Sequence, residues 1–130
     1  QRDEGAELRP SYINRIDLSD WGATSEAAAS CDLVISSCTS VAHLSGAMGV
    51  PTWIAVPILP YYLWAKAGNT TEWYDSVKLF RQQTYGDWTH VFSNIEENLK
   101  REIENANKNR LLDSREEREG GAGLGLQAVG

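Results

Sequence analysis

The sequence predicts an α/β fold, Rossmann-like, with a partial parallel sheet, flanking helices and a long C-terminal helix. Two short apolar runs, at 32–35 and 51–56, are rich in β-branched residues, as expected of strands buried on both faces. Apolar residues at helical spacing lie between the two runs, and a longer amphipathic segment follows at 88–107. The order strand, helix, strand favours a parallel β-α-β unit, from which α/β domains are built.

The first part of the chain offers weaker signals. Residues 1–11 are charged and lack periodicity, which predicts a disordered leader. Residues 13–18 alternate between apolar and polar side chains and predict a strand or a strand end. A loop follows, and a short helix is predicted at 25–30 with Thr24 as its N-cap.

The helix between the two apolar runs has clear start and stop signals. Gly49 ends it and Pro51 prevents its continuation. Its predicted apolar face consists of Val41, Leu44, Ala47 and Met48. The residues with side-chain hydroxyls that crowd its start are Ser36, Ser37, Thr39 and Ser40.

This hydroxyl-rich turn is the main candidate site, because ligands of open α/β sheets bind at the carboxyl ends of strands. The start of a helix offers unpaired amides and a partial positive charge, which suit a phosphate or diphosphate. The predicted anion site comprises Thr39, Ser40, the amides near Val41 and Ala42, and His43 as an added donor. The alternative is an ordinary helix start with a solvated or capping histidine.

A proline-punctuated aromatic loop at 57–66 supplies further candidates, since loops at strand ends commonly carry binding groups. The aromatic residues that can stack on a nucleobase or sugar are Tyr61, Tyr62, Trp64 and Trp73, of which Tyr62 and Trp64 are assigned to the site. Lys66 is a candidate phosphate partner, and 68–72 is a candidate lid. Simple packing of the aromatic side chains is the alternative.

The remaining chain is predicted to be structural. Residues 77–82 are predicted to form the last strand. Arg81 is expected to face either the ligand edge or solvent, and solvent is the favoured alternative. Asp87 caps the long helix at 88–107, and His90 on its wet face receives no chemical role. The apolar stripe of this helix consists of Trp88, Val91, Phe92, Ile95, Leu99 and Ile103. The α/β domain is thus predicted at 12–107, followed by a disordered charged and Gly-rich tail at 108–130.

Composition excludes several function classes. Twelve basic and eighteen acidic residues give a net charge of −6, which argues against nucleic-acid binding. No apolar run approaches the ~20 residues of a transmembrane helix. Cys31 and Cys38 form no Cys-x-x-Cys pair and the two His lie far apart, so zinc is not expected. Buried free thiols in a reducing cytoplasm are expected instead.

Length bounds the prediction further. The 130 residues can bury one core, and the single Met, Met48, is internal, which favours a fragment of a longer protein.

The segment from Asp32 to Trp53 resembles the donor-site motif of heptosyltransferase-like glycosyltransferases (glycosyltransferase family nine), which are often fused to tetratricopeptide repeats. The residues that match this motif in register are Thr39, Ser40, His43, Leu44, Gly46, Ala47, Gly49 and Pro51. The similarity continues through 59–64, 73–74, 77–82 and 86–88, and spans residues 13–103. Two positions depart from it, since Ala23 and Cys38 stand where the family commonly has Asp.

The resemblance implies the C-terminal, nucleotide-sugar-binding half of a GT-B enzyme. Such an enzyme transfers a sugar from a nucleoside-diphosphate sugar to an acceptor hydroxyl. It needs no metal or other cofactor where helix amides and His43 neutralise the leaving group. The base would lie on the N-terminal domain of the same parent protein, so no catalytic residue is assigned and the isolated chain is expected to be inactive. The neutral Ala23 and Cys38 leave two alternatives: a non-catalytic nucleotide- or protein-binding module, and an inactive gene fragment.

Overall fold

A computed structural model describes residues 10–16 and 18–121, with side chains up to residue 116. Residues up to Val91 form one compact unit, which contains the sheet, and residues from Phe92 onward form a second. The elements in chain order are α1 (Trp21–Ala29), β1 (Val34–Ser37), α2 (Ser40–Ala47), β2 (Thr52–Val56), a 3-10 turn (Tyr62–Trp64), β3 (Val77–Arg81) and α3 (Thr89–Gly121). The predicted α/β class is therefore confirmed.

The three strands form a parallel sheet in the order β1-β2-β3. Val34 of β1 pairs with Thr52 of β2, which pairs in turn with Val77 of β3. All five residues of the central strand β2 are buried, as its continuous apolar run predicts. The helix α2 connects β1 to β2, so the predicted β-α-β unit is confirmed. Residues 57–76 connect β2 to β3 and are called the crossover below.

One face of the sheet carries the main core. Because side chains alternate along a strand, Ile54 and Val56 of β2 share this face with Leu79 of β3. They form a cluster with Val77, with Ala42 of α2 and with Trp64 of the crossover. Trp64 is only 1% exposed and is among the largest fully buried side chains. Part of the predicted aromatic loop is thus core.

The first helix begins earlier than predicted. Its N-cap is Asp20 rather than Thr24, and the Asp20 carboxylate accepts from the Ala23 amide at 2.8 Å. The Thr24 side chain is buried and its hydroxyl donates to the Asp20 carbonyl at 2.7 Å. The strand predicted at 13–18 is wrong for the described residues, which pair with no other strand there. Alternation over six residues does not make a strand without a partner.

The buried face of α2 also differs from the prediction. Ala42, Ser45 and Gly46 are its buried residues, whereas Ala47 and Met48 are exposed. The predicted apolar face is therefore wrong at Ala47 and Met48, whereas Val41 and Leu44 are half-buried. The closest packing is at Gly46, where a Cβ atom would meet Tyr74. The predicted end of the helix is confirmed, since Gly49 has a φ of 74° that suits glycine.

The long helix α3 has the predicted cap, because the Asp87 carboxylate accepts from the Thr89 amide at 2.9 Å. It continues to Gly121 instead of ending at 107, so residues 108–121 of the predicted disordered tail are helical. Their Leu, Arg, Glu and Lys side chains favour a helix even without an apolar stripe. Within the predicted stripe, Val91 and Ile95 are buried, whereas Phe92 and Ile103 are exposed.

The residues predicted as a leader, up to residue 9, and those at 122–130, which hold most of the Gly-rich end, lie outside the described residues. Within the described range, no helix combines the length and apolarity needed to cross a membrane.

Candidate functional site

The turn from β1 into α2 lies at the carboxyl edge of the parallel sheet. Here the hydroxyl oxygens of Ser36 and Thr39 are 3.2 Å apart. Thr39 has the extended backbone of an N-cap, but its side chain makes no capping hydrogen bond. The first amide of α2 with a backbone acceptor is that of Ala42, which donates to the Thr39 carbonyl at 3.1 Å.

The amides of Ser40 and Val41 therefore have no acceptor among the described residues. These are the orphan donors that every helix start leaves, and they coincide with the positive end of the helix dipole. Ser37 and Ser40 are exposed, so the turn reaches the protein surface. The turn thus presents amide and hydroxyl donors together to the solvent.

Cys38 lies in the turn between β1 and α2, where its thiol is half-buried. Cys38 follows β1, and its thiol lies 3.6 Å from the Ala55 carbonyl. Burial raises the pKa of the Cys38 thiol, and the positive charge of Arg81 opposes that rise. A neutral thiol adds no negative charge beside the start of α2, whereas an aspartate would. Cys38 therefore adds no negative charge that would oppose an anion at the start of α2.

His43 lies at the end of the first turn of α2 and is half-buried. Its Nδ1 atom is 3.1 Å from the Tyr74 hydroxyl, and its ring stacks on Trp64 with centroids 4.9 Å apart. No described residue forms a hydrogen bond with its Nε2 atom. One ring nitrogen is thus occupied by the protein and the other can serve a ligand.

The other predicted site residues have different surroundings. Ala42 is fully buried, and its amide is already bonded to Thr39. Trp64 supports His43 from within the core and has no exposed ring face for a nucleobase. Tyr62 is 68% exposed and contacts Tyr61 at a centroid distance of 4.4 Å. The residues from Thr39 to His43 therefore lie together, Tyr62 remains accessible, and Ala42 and Trp64 act through packing.

The two basic residues of this region are occupied within the protein. Arg81 donates through Nε to the Gly68 carbonyl at 2.6 Å and through Nη1 to the Trp64 carbonyl at 2.7 Å. Its Nη2 donates to the carbonyl of Lys66, and the Lys66 ammonium pairs with Glu72. Arg81 is therefore not simply solvated, since it attaches the crossover to β3.

A cavity of about 220 Å³ lies within the crossover region. It is lined by Tyr62, Leu63, Trp64, Lys66, Thr70, Thr71, Glu72, Trp73, Leu79 and Arg81. None of the residues of the β1–α2 turn lines it, so it is separate from the candidate anion site.

Sequence reasoning did not assign a role to Tyr74, although its hydroxyl contacts His43. The two residues lie thirty-one positions apart, and only the folded crossover brings them together. No periodicity or local motif marks Tyr74. The resemblance to glycosyltransferases covered its position without indicating a role.

Among the described residues, no group of three His, Cys, Asp or Glu side chains is arranged to hold a metal ion. Comparison with known proteins found no matching family model, no matching curated protein and no matching solved structure.

Proposed function

We propose that this chain is the nucleotide-sugar-binding segment of a cytoplasmic GT-B glycosyltransferase similar to the heptosyltransferase-like enzymes. The start of α2 would hold the diphosphate of the donor. One observation carries the proposal: the exposed β1–α2 turn combines two orphan amides with paired hydroxyls and an available histidine nitrogen. The resemblance of residues 32–53 to a donor-site motif supports the same assignment.

Each group in the turn has a defined task in this proposal. The amides of Ser40 and Val41 donate to phosphate oxygens, as amides at helix starts commonly do. The Thr39 hydroxyl adds a third donor, and His43 adds a fourth through Nε2. Four donors from one short segment suit the several oxygen atoms of a diphosphate.

These donors also favour the reaction itself. As the bond between the sugar and the diphosphate breaks, its electron pair moves to a diphosphate oxygen. The acceptor hydroxyl attacks the anomeric carbon and loses its proton to a base on the N-terminal domain of the parent protein. Donors that bind the developing negative charge more strongly than the ground state accelerate such a step. The chain alone would bind the donor and transfer nothing.

The nucleoside or sugar end of the donor would contact the crossover. Of the two aromatic residues assigned to the site, Tyr62 is exposed for stacking, and the other exposed candidates are Tyr61 and Trp73. Trp64 contributes indirectly, because it supports the His43 ring.

A binding-only α/β module is the second candidate. The observation that favours it is Cys38, a neutral thiol directed at the Ala55 carbonyl where the heptosyltransferase-like enzymes commonly have Asp. Joining this chain to the N-terminal domain and assaying sugar transfer separates the candidates: transfer supports an enzyme, and nucleotide binding without transfer supports a module.

Calorimetric titration with nucleoside diphosphates and their sugar conjugates tests the site. We expect Thr39→Ala and His43→Ala each to weaken binding by roughly two- to tenfold, as the loss of one hydrogen bond does. His90→Ala is the matched control, because the His90 ring contacts Gln83 and not the turn. Equal affinities in the wild type and all three variants would refute the site, and so would a wild-type chain that binds none of these ligands.

A further inference from the structure

The imidazole of His43 is held between two aromatic side chains of the crossover. Trp64 stacks on it with an interplanar angle of 27°. Tyr74 meets it edge-on, with ring centroids 5.9 Å apart, and its hydroxyl lies 3.1 Å from Nδ1. Both neighbours come from residues 57–76, whereas His43 belongs to α2. The crossover therefore fixes the orientation of a ring on another element.

Gly46 explains why Tyr74 can come so close to α2. A Cβ atom on Gly46 would lie 2.8 Å from Cγ of Tyr74 and 3.0 Å from a methyl carbon of Val77. Real side chains do not tolerate the first of these distances, so the Tyr74 ring occupies space that only glycine leaves. The ring is thus packed tightly, and its hydroxyl has a fixed position relative to the imidazole.

We infer that Tyr74 is a positioning residue whose hydroxyl donates to Nδ1 of His43 and holds the neutral imidazole with its proton on Nε2. The Tyr74 hydroxyl can donate to Nδ1 or accept from it, and we assign it the donating role because this role leaves the proton on Nε2. The Nε2–H group can then donate to a phosphate oxygen. The opposite tautomer would present a lone pair, which repels an anion. The inference rests on the proposed function, because it assigns this donor to the diphosphate.

The tautomer can be measured without any ligand. Long-range ¹H–¹⁵N NMR spectra of the full chain distinguish the two neutral tautomers, and His90→Ala assigns the His43 signals because the chain has only two His. We expect the Nε2–H tautomer in the wild type and a mixture in Tyr74→Phe. Phe keeps the ring against Gly46, so the fold is retained. Tyr85→Phe is the control, since Tyr85 is 82% exposed, and it should give the wild-type spectrum.

The same variants are then titrated with uridine diphosphate, adenosine diphosphate and inorganic phosphate. Tyr74→Phe should weaken nucleoside-diphosphate binding about fivefold, as expected when one hydrogen bond is misdirected, and Tyr85→Phe should not. An unchanged tautomer in Tyr74→Phe overturns the inference, and so does a changed tautomer with unchanged affinity.

Different results would refute the proposed function and the role of Tyr74. A wild-type chain that binds neither nucleoside diphosphate refutes the proposed function, and the inference with it. A wild-type chain that binds them, loses affinity in Thr39→Ala and keeps it in Tyr74→Phe refutes the inference alone.

Discussion

Replacing Gly46 with Ala tests the close contact between α2 and Tyr74. The substitution adds one methyl group, whose carbon would lie 2.8 Å from the Tyr74 ring and 3.0 Å from Val77. Gly46 is buried in the last turn of the helix, so the methyl group cannot turn towards solvent. The ring, the strand or the helix must move to accommodate it.

Two opposing terms set the size of the effect. Overpacking a well-packed core by one methyl group costs about 1–3 kcal/mol. Ala favours a helix interior over Gly by about 1 kcal/mol. The difference predicts a free energy of unfolding that is lower by up to about 2 kcal/mol in Gly46→Ala. For a chain of this size the midpoint of thermal unfolding should fall by roughly 4 °C per kcal/mol.

Urea unfolding followed by circular dichroism measures this loss, and a double-mutant cycle with Tyr74→Ala identifies its cause. If the clash with the Tyr74 ring dominates, Gly46→Ala should cost at least about 1 kcal/mol less in the Tyr74→Ala background. A Gly46→Ala chain that is more stable than the wild type would refute the packing argument. A cost that is the same in both backgrounds would assign the clash to Val77 instead.

Three further substitutions test the other contacts. Arg81→Lys should destabilise the chain by about 2 kcal/mol and increase amide hydrogen exchange at 64–68, because Lys cannot reproduce the guanidinium fork that reaches three carbonyls; exchange at wild-type rates would contradict this role. Trp64→Ala should cost about 3–5 kcal/mol in urea unfolding, since the ring is 1% exposed in the core; a loss below about 1 kcal/mol would contradict it. Asp87→Ala should lower the thermal midpoint at neutral pH. The hydrogen bond from Thr89 holds the pKa of Asp87 below its usual value, so this stabilisation is present above the unfolded-state pKa and is lost as the pH falls through the folded-state pKa. The thermal midpoints of the wild type and Asp87→Ala should therefore converge in acid. A difference between them that stays constant across the pH range would contradict the role of Asp87 as the cap.

The sequence predicts the elements of the sheet well because their signals are local. The apolar run of β2, the stop at Gly49 and the cap at Asp87 each depend on neighbouring residues, and each prediction is confirmed. The sequence predicts an end of the long helix at 107, because its apolar stripe has ended by then, at Ile103. Helix propensity continues through the charged residues that follow.

The wrong predictions concern side chains whose environment depends on packing between segments that are distant in sequence. Periodicity favours larger apolar residues for the buried face of α2, but close contact with Tyr74 requires Gly46 there. For Arg81 the sequence predicts a ligand contact or solvation. Its hydrogen-bond partners are instead backbone carbonyls of the crossover, thirteen to seventeen residues away in sequence. For Trp64 the sequence predicts stacking on a nucleobase or sugar, whereas in the fold its ring is buried and stacks with His43. None of these contacts has a sequence signature.

The most direct test of the central claim is to follow the backbone amides of Ser40 and Val41 by NMR while uridine or adenosine diphosphate is added to the ¹⁵N-labelled chain. A phosphate oxygen that accepts from these amides should shift both signals downfield in a saturable manner, with the same dissociation constant as calorimetry. The signal of Tyr85, an exposed residue outside the turn, serves as the internal control. The account predicts the largest changes at 39–43. Saturable binding that leaves the Ser40 and Val41 signals unmoved would contradict it.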